Sequence, residues 1–100
     1  MSFVSQMAVK VRPGQRADAI AAFKARRVLE ECADAIPGFL KGRLLLATDC
    51  PDAFVVEAEW ANPGDIQEWQ NHPVRAAQAS DLSGWLAEEP ETKIYEASTE

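Results

Sequence analysis

The hydrophobic pattern of this chain alternates between a period of two and a period near 3.6. Phe3, Ser5, Met7, Val9 and Val11 fall on one side of an extended run, Val4, Gln6, Ala8 and Lys10 on the other, until Pro13-Gly14 stops it. From Gln15 to Ile36 the pattern turns helical. Ala21, Ala22, Ala25, Val28, Leu29, Cys32, Ala33 and Ile36 share an arc, with Lys24, Arg27, Glu31 and Asp34 opposite it on the water side. Ile20 and Phe23 fall outside the arc, which makes Phe23 a candidate contact with a partner subunit. Pro37-Gly38 closes the helix, with Gly38 suited to the left-handed cap position. Two extended runs follow, Phe39 to Asp49 and Ala53 to Trp60, hinged at Cys50-Pro51-Asp52. Phe54, Val56, Ala58 and Trp60 share one face of the second run, and closing the hairpin sets Arg43 opposite Glu59 as a cross-strand charge pair.

A second helical region reaches from Pro63 to Leu86. Asn62 caps it, Pro63 fits its first turn, and Asp65 places negative charge where the helix favours it. Ile66 and Trp69 turn toward the core. His72-Pro73 interrupts the helix, because the residue before a proline avoids α geometry. Beyond it Ala79, Leu82 and Leu86 point inward, and a last strand covers Thr92 to Ala97.

The order is therefore β-α-β-β-α-β, the ferredoxin-like split arrangement: an α+β domain with one four-stranded antiparallel sheet and helices on one face. The other face of such a sheet is bare, and a second copy of the chain is its simplest cover, so a homodimer is expected. One hundred residues make one domain, over 1–100, large enough to hold a core unaided.

Charge narrows the choice of partners. A net charge of −6 and a pI near 4.7 argue against nucleic acid and anionic membrane, both of which demand Lys/Arg density. No apolar run approaches the length of a membrane span, and the N-terminus lacks a basic stretch followed by an apolar one, so a cytoplasmic protein is expected. Cys32 and Cys50 form no CxxC pair, and the single His72 cannot complete a zinc set with them, so both read as free thiols and no metal is expected.

Several segments together resemble the antibiotic biosynthesis monooxygenase domain. They are Ala8-Val9-Lys10-Val11-Arg12-Pro13-Gly14, Ile36-Pro37-Gly38-Phe39, and Phe54-Val55-Val56-Glu57-Ala58-Glu59-Trp60 leading to Trp69-Gln70-Asn71-His72-Pro73. The resemblance covers about residues 3 to 97. It implies a dimeric α+β barrel with a pocket between sheet and helices in each subunit. It also implies chemistry that ranges from cofactor-free oxygenation of anthrones and quinols to haem degradation and isomerisation.

The family pattern is only partly present. In the anthrone oxygenases an Asn four residues before the strand-ending Trp, that Trp, and an Arg on the last helix hold the substrate anion. Here the Trp is Trp60, the Asn position is Val56, and the Arg position falls near Ala79, so Arg75, Gln78 or His72 would have to substitute. In the haem-degrading branch the Asn position is Met7 and the His position is again Ala79, which argues against haem and leaves no cofactor expected.

The expected function is a cofactor-independent monooxygenase that oxidises a small aromatic or quinol-type molecule with O2 in the pocket between sheet and helices, with a small aromatic or quinone-like molecule as its partner. His72, Trp60 and Arg75 are the candidate catalytic residues; Met7, Phe54, Val56, Trp69, Leu82 and Trp85 are the candidate substrate contacts. Two alternatives stand beside it. One is a binding or accessory protein on the same barrel, and the other is an isomerase or cyclase that uses His72 for proton transfer.

Overall fold

The computed structural model describes residues 2–98; Met1, Thr99 and Glu100, part of the domain expected over 1–100, lie outside the described residues. The elements follow the expected order, with strands β1 (Phe3–Lys10), β2 (Phe39–Leu46), β3 (Ala53–Trp60) and β4 (Glu91–Glu96). The first helical region supplies α1 (Arg16–Ala25) and α2 (Val28–Ala35), the second α3 (Pro63–Gln70), α4 (Pro73–Leu82) and a 3-10 turn (Ser83–Trp85). The sheet order is β2-β3-β1-β4, with every neighbouring pair antiparallel.

Register fixes which side chains share a face. Met7 lies opposite Val56 on β3 and Thr92 on β4, and Val56 lies opposite Leu44 on β2. Residues paired across a ladder project to the same side, so the helix-covered face carries Ser5, Met7, Val9, Phe54, Val56, Ala58 and Trp60. The opposite face carries Val4, Leu45 and Val55, all half-buried, and Tyr95, which is 47% exposed.

Polar groups cross that open face. Glu57 Oε1 accepts from Gln6 Nε2 at 2.8 Å, and its Oε2 accepts from Arg43 Nε at 2.8 Å. The hydrogen bond from Gln6 first, and that from Arg43 second, hold the Glu57 carboxyl below its ordinary range. The expected pairing of Arg43 with Glu59 is corrected by two residues. Arg43 faces Glu57 and Lys41 faces Glu59, with a bulge between Phe39 and Lys41. A shift of two preserves the face of every side chain, which is why the alternation could not reveal it.

The long helix expected from Gln15 to Ile36 is two helices. Arg27 adopts the left-handed conformation (φ 60°, ψ 44°) between them. Ala19 and Phe23 are one i,i+4 pair and Val28 and Cys32 another, all four buried. The step of five from Phe23 to Val28 would turn one of the pairs to water on a continuous helix, and the break restores the phase. Phe23 is consequently a core residue, 3% exposed, meeting Phe54 edge-on at 5.1 Å and 86°. The reading of Phe23 as a subunit contact fails, and Ala21, Ala25 and Ala33 are exposed rather than inward.

Gly38 is not the left-handed cap. The positive-φ glycine is Gly14 (φ 79°), in the turn that ends β1. Gly38 is there for space: a β-carbon on it would fall 1.9 Å from Asp65 Oδ2. The Asp65 carboxylate in turn accepts the Asn62 N–H at 3.0 Å, closing the first turn of α3 with Pro63 inside it. At the opposite end of the domain Arg16 Nη1 donates to the carbonyls of Ala47, Cys50 and Ala53 at 2.9, 3.1 and 3.1 Å, tying α1 to the β2–β3 loop.

Two apolar clusters form between sheet and helices. One contains Val9, Val11, Ala19, Phe23, Val28, Phe54 and Leu82. The other contains Cys32, Ile36, Ala58, Trp60 and Ile66. Among the described residues no helix is long and apolar enough to cross a membrane.

Candidate functional site

The two clusters do not meet cleanly, and a cavity of about 410 Å³ opens where they adjoin. That volume lies within the ~300–1,000 Å³ usual for small-molecule sites. The sheet supplies its floor through Ser5, Met7, Val56, Ala58 and Trp60. The helices supply Val28, Leu29 and Cys32 from α2, Ile66 and Trp69 from α3, and Arg75, Gln78, Ala79 and Leu82 from α4. Glu88, Glu89 and Pro90, on the connection to β4, also line it.

Most of this wall is hydrocarbon, which gives its few polar groups weight. Trp60, 1% exposed, donates its indole Nε1–H to Ser5 Oγ at 3.0 Å. Its ring is also held edge-on by Phe39 at 5.6 Å. Gln78 is buried, at 7% exposure. Its Nε2 donates to the Val28 carbonyl at 3.3 Å and to Glu31 Oε1 at 3.0 Å. Both partners are acceptors, so the amide orientation is settled. Glu31 also pairs with Arg26, which reaches Asp81 Oδ2 at 2.9 Å on α4. The hydrogen bond from Gln78 first, then Arg26, keeps the Glu31 carboxyl below its ordinary range. Arg75 is half-buried on the cavity wall. No carboxylate among the described residues pairs with it.

Cys32 lines the cavity as a small apolar group. Burial pushes its thiol up to about 12, so it stays protonated at neutral pH and offers no nucleophile. Among the described residues no three His, Cys, Asp or Glu side chains are grouped to hold a metal ion.

Of the residues singled out from sequence, Met7, Val56, Trp60, Trp69, Arg75 and Leu82 converge on the cavity. Three do not. Phe54 is 1% exposed within the first apolar cluster, in contact with Phe23. Trp85 packs half-buried against that cluster. His72 is the N-cap of α4: its Nδ1 accepts the Val74 N–H at 3.1 Å, and its ring stacks on Trp69 at 5.8 Å and 26°. An Nδ1 that accepts leaves the neutral ring's proton on Nε2, so the imidazole orders the α3–α4 joint and Trp69.

The site also holds Ser5, outside the candidate set, and Gln78, named from sequence only as a possible substitute for the family's missing polar groups. Ser5 shares the alternating face of Met7, and Gln78 lies at helical spacing from Arg75 and Leu82. Either position was within reach of the periodicity, which placed Ala79 inward instead; Ala79 lines the cavity but is exposed, and Gln78 is the buried one.

The model of the family described as antibiotic biosynthesis monooxygenase matches residues 2–79. Among curated proteins, none is similar enough in sequence to count as a relative. Solved structures are similar in fold. A protein of unknown function from Nitrosomonas europaea is 24% identical with a TM-score of 0.73, over 96% of this chain and 88% of that one. A point variant of SnoaB, a cofactor-independent oxygenase from Streptomyces nogalater, is 17% identical with a TM-score of 0.75, over 99% and 95%. A conserved protein from Methanosarcina mazei is 17% identical with a TM-score of 0.78, over 98% and 94%.

Proposed function

We propose that this chain, which belongs to the antibiotic biosynthesis monooxygenase family, is a cofactor-independent monooxygenase acting in the cavity between sheet and helices. Its substrate is a small aromatic or quinol-type molecule with an activated ring position, and its co-substrate is O2. The observation that carries this reading is a guanidinium, Arg75, that no carboxylate among the described residues pairs with, in the wall of a mostly apolar cavity.

Oxygenation of this kind begins with loss of a proton from the substrate. A cation in a low-dielectric wall favours the resulting anion. The anion is electron-rich enough to give one electron to O2, and the two radicals combine into a C–O bond. For a ring methylene, protonation of the peroxide and loss of water leave a ketone: CH2 and O2 become C=O and H2O. The protein's part is to bind the ring flat between Trp60, Trp69 and Met7, to hold the anion beside Arg75, and to keep bulk water away.

The fold of SnoaB, a cofactor-independent oxygenase, supports the reading as an analogy of architecture. The protein works as a homodimer, the open sheet faces of two copies packing on each other around Val4, Leu45, Val55 and Tyr95 to close an α+β barrel. Sedimentation at micromolar concentration then gives twice the 11.0 kDa chain mass; a single-chain mass refutes the dimer.

The test of the activity is O2 uptake with anthrone as the probe, against the rate in buffer alone. Uptake with anthraquinone formation, reduced in Arg75→Ala, is the expected result. Saturable anthrone binding with no uptake would favour a binding protein, a reading that Val56 and Ala79 at expected polar positions support. Conversion under argon would favour an isomerase, although the bond from Val74 N–H to His72 Nδ1 speaks against the imidazole as its base.

A further inference from the structure

We infer that α2 is a lid on the cavity, hinged at Arg27 and latched to α4 through Arg26, Glu31 and Asp81. It opens when Arg27 leaves the left-handed region and α1 and α2 join into one helix. This goes beyond the proposed activity, because it concerns how the cavity is reached, whatever is bound there.

The hinge is a strained residue between two relaxed ones. Arg27 is exposed and holds φ 60°, ψ 44°, a conformation that costs any residue with a β-carbon. Arg26 before it and Val28 after it are both helical. A change at one residue therefore makes the helix continuous.

The lid is loosely seated. Val28, Leu29 and Cys32 line the main cavity. Val28 and Leu29 also line a second cavity of about 310 Å³, together with Arg43 and Leu44 of β2. The first turn of α2 has open volume on two sides, and so fewer dispersion contacts than a packed helix to hold it down.

The latch works only on the bent chain. Arg26 pairs with Glu31 and reaches Asp81 Oδ2 on α4 at 2.9 Å. Glu31 Oε1 also accepts from Gln78 Nε2 at 3.0 Å, a second tie to α4. Arg26 stands before the hinge and Glu31 after it. On a continuous helix residues five apart point away from each other, so straightening separates the pair. The same rotation carries Val28 and Cys32 off the cavity and toward water, since they follow Phe23 at the wrong step for one helix. The closed state thus exchanges backbone strain at Arg27 for the latch and the burial of α2, and the open state does the reverse.

Cys32, 3% exposed, is a built-in reporter of the opening. Cys50, the other free thiol, is replaced by serine in every sample. The rate at which methyl methanethiosulfonate labels Cys32 is followed by mass spectrometry in low urea. Labelling should proceed with a urea dependence well below the m-value of global unfolding, the mark of a local opening. Arg27→Gly relieves the left-handed residue and weakens a straight helix, so it should slow labelling at least about fivefold. Asp81→Asn removes an exposed ion pair from the latch and should speed labelling about two- to fivefold. Rates unchanged in both variants overturn the lid, because the reagent then enters by a fixed mouth. Labelling that carries the full m-value also overturns it, because Cys32 is then reached only when the whole domain unfolds. No substrate enters the measurement, so either result leaves the oxygenase reading to its own test.

Discussion

Replacing Gly38 by alanine separates two accounts of why glycine stands between α2 and β2. A β-carbon there would lie 1.9 Å from Asp65 Oδ2, 2.3 Å from its Cγ and 2.8 Å from Oδ1. The obstacle is the end of a side chain, so the carboxylate can swing aside. In doing so it abandons the Asn62 N–H it accepts at 3.0 Å. Losing that cap bond costs about 1 kcal/mol, and moving the charge from the helix N-terminus costs roughly 0.3–1 kcal/mol more. Against this, alanine has fewer unfolded conformations than glycine, a gain of roughly 0.4–1 kcal/mol where φ is compatible, as it is at a residue outside the positive-φ set. The net loss for Gly38→Ala is then about 0.5–1.5 kcal/mol.

Asp65→Ala gives up the cap by itself and removes the obstacle. In that background Gly38→Ala should be neutral or stabilising by up to about 1 kcal/mol. Urea unfolding followed by tryptophan fluorescence measures all four corners of the cycle, with the m-value as a check that the unfolding transition is unchanged. A Gly38→Ala loss that persists at full size beside Asp65→Ala would refute the steric account and restore the left-handed backbone demand. The outcome bears on the site as well, because α3 carries Ile66 and Trp69 into the cavity wall.

Other consequences follow from single groups. Cys32 keeps its proton up to about 12 in the folded chain, whereas in the unfolded chain it loses it near ~8.5. Its contribution is therefore full below about pH 8.5 and is lost as pH rises from there toward 12. Cys32→Ala should flatten the alkaline decline in urea midpoints, and an unchanged slope would count against a buried thiol. Glu57 is shifted the other way, so what it contributes is present above about pH 4.3 and fades as pH falls through its lowered folded value. Glu57→Gln should be less sensitive to acid than the native chain across that window. Arg27→Gly should raise stability by about 0.5–1 kcal/mol, since glycine relieves a left-handed residue at some cost in backbone entropy. A drop in Tm would mean that the Arg27 side chain holds the helix junction.

How far the sequence reaches differs from element to element. The alternation in Ala53–Trp60 needs no neighbour to be legible, because a strand shows its two faces through a period of two, and the buried face is the one carrying Phe54, Ala58 and Trp60. The start of α3 at Asn62-Pro63 and the break at His72-Pro73 are equally local, each following from what proline does to its own and the preceding residue. Element order, and with it the antiparallel sheet, comes from such signals. Six of the residues around the cavity are reached through the family resemblance laid over these periods.

What the tertiary structure decided are matters of phase and of bond partners. The step of five between Phe23 and Val28 is compatible with a continuous helix until both must touch the same sheet; only then does Arg27 turn left-handed and Phe23 go inside. A hairpin shifted by two keeps every face, so the Arg43–Glu57 pair is settled by the closed loop rather than by alternation. The same limit applies to chemistry. The residue types make His72 a natural base and Gln78 a possible donor to a substrate anion, with Ser5 an ordinary hydroxyl. The bond from Val74 N–H engages His72 in a helix cap, while Ser5 accepts from Trp60 and the Gln78 Nε2 donates to Val28 and Glu31. A hydrogen-bonding group's chemistry depends on which of its valences are already taken, and those partners come from strands and helices far apart in the chain.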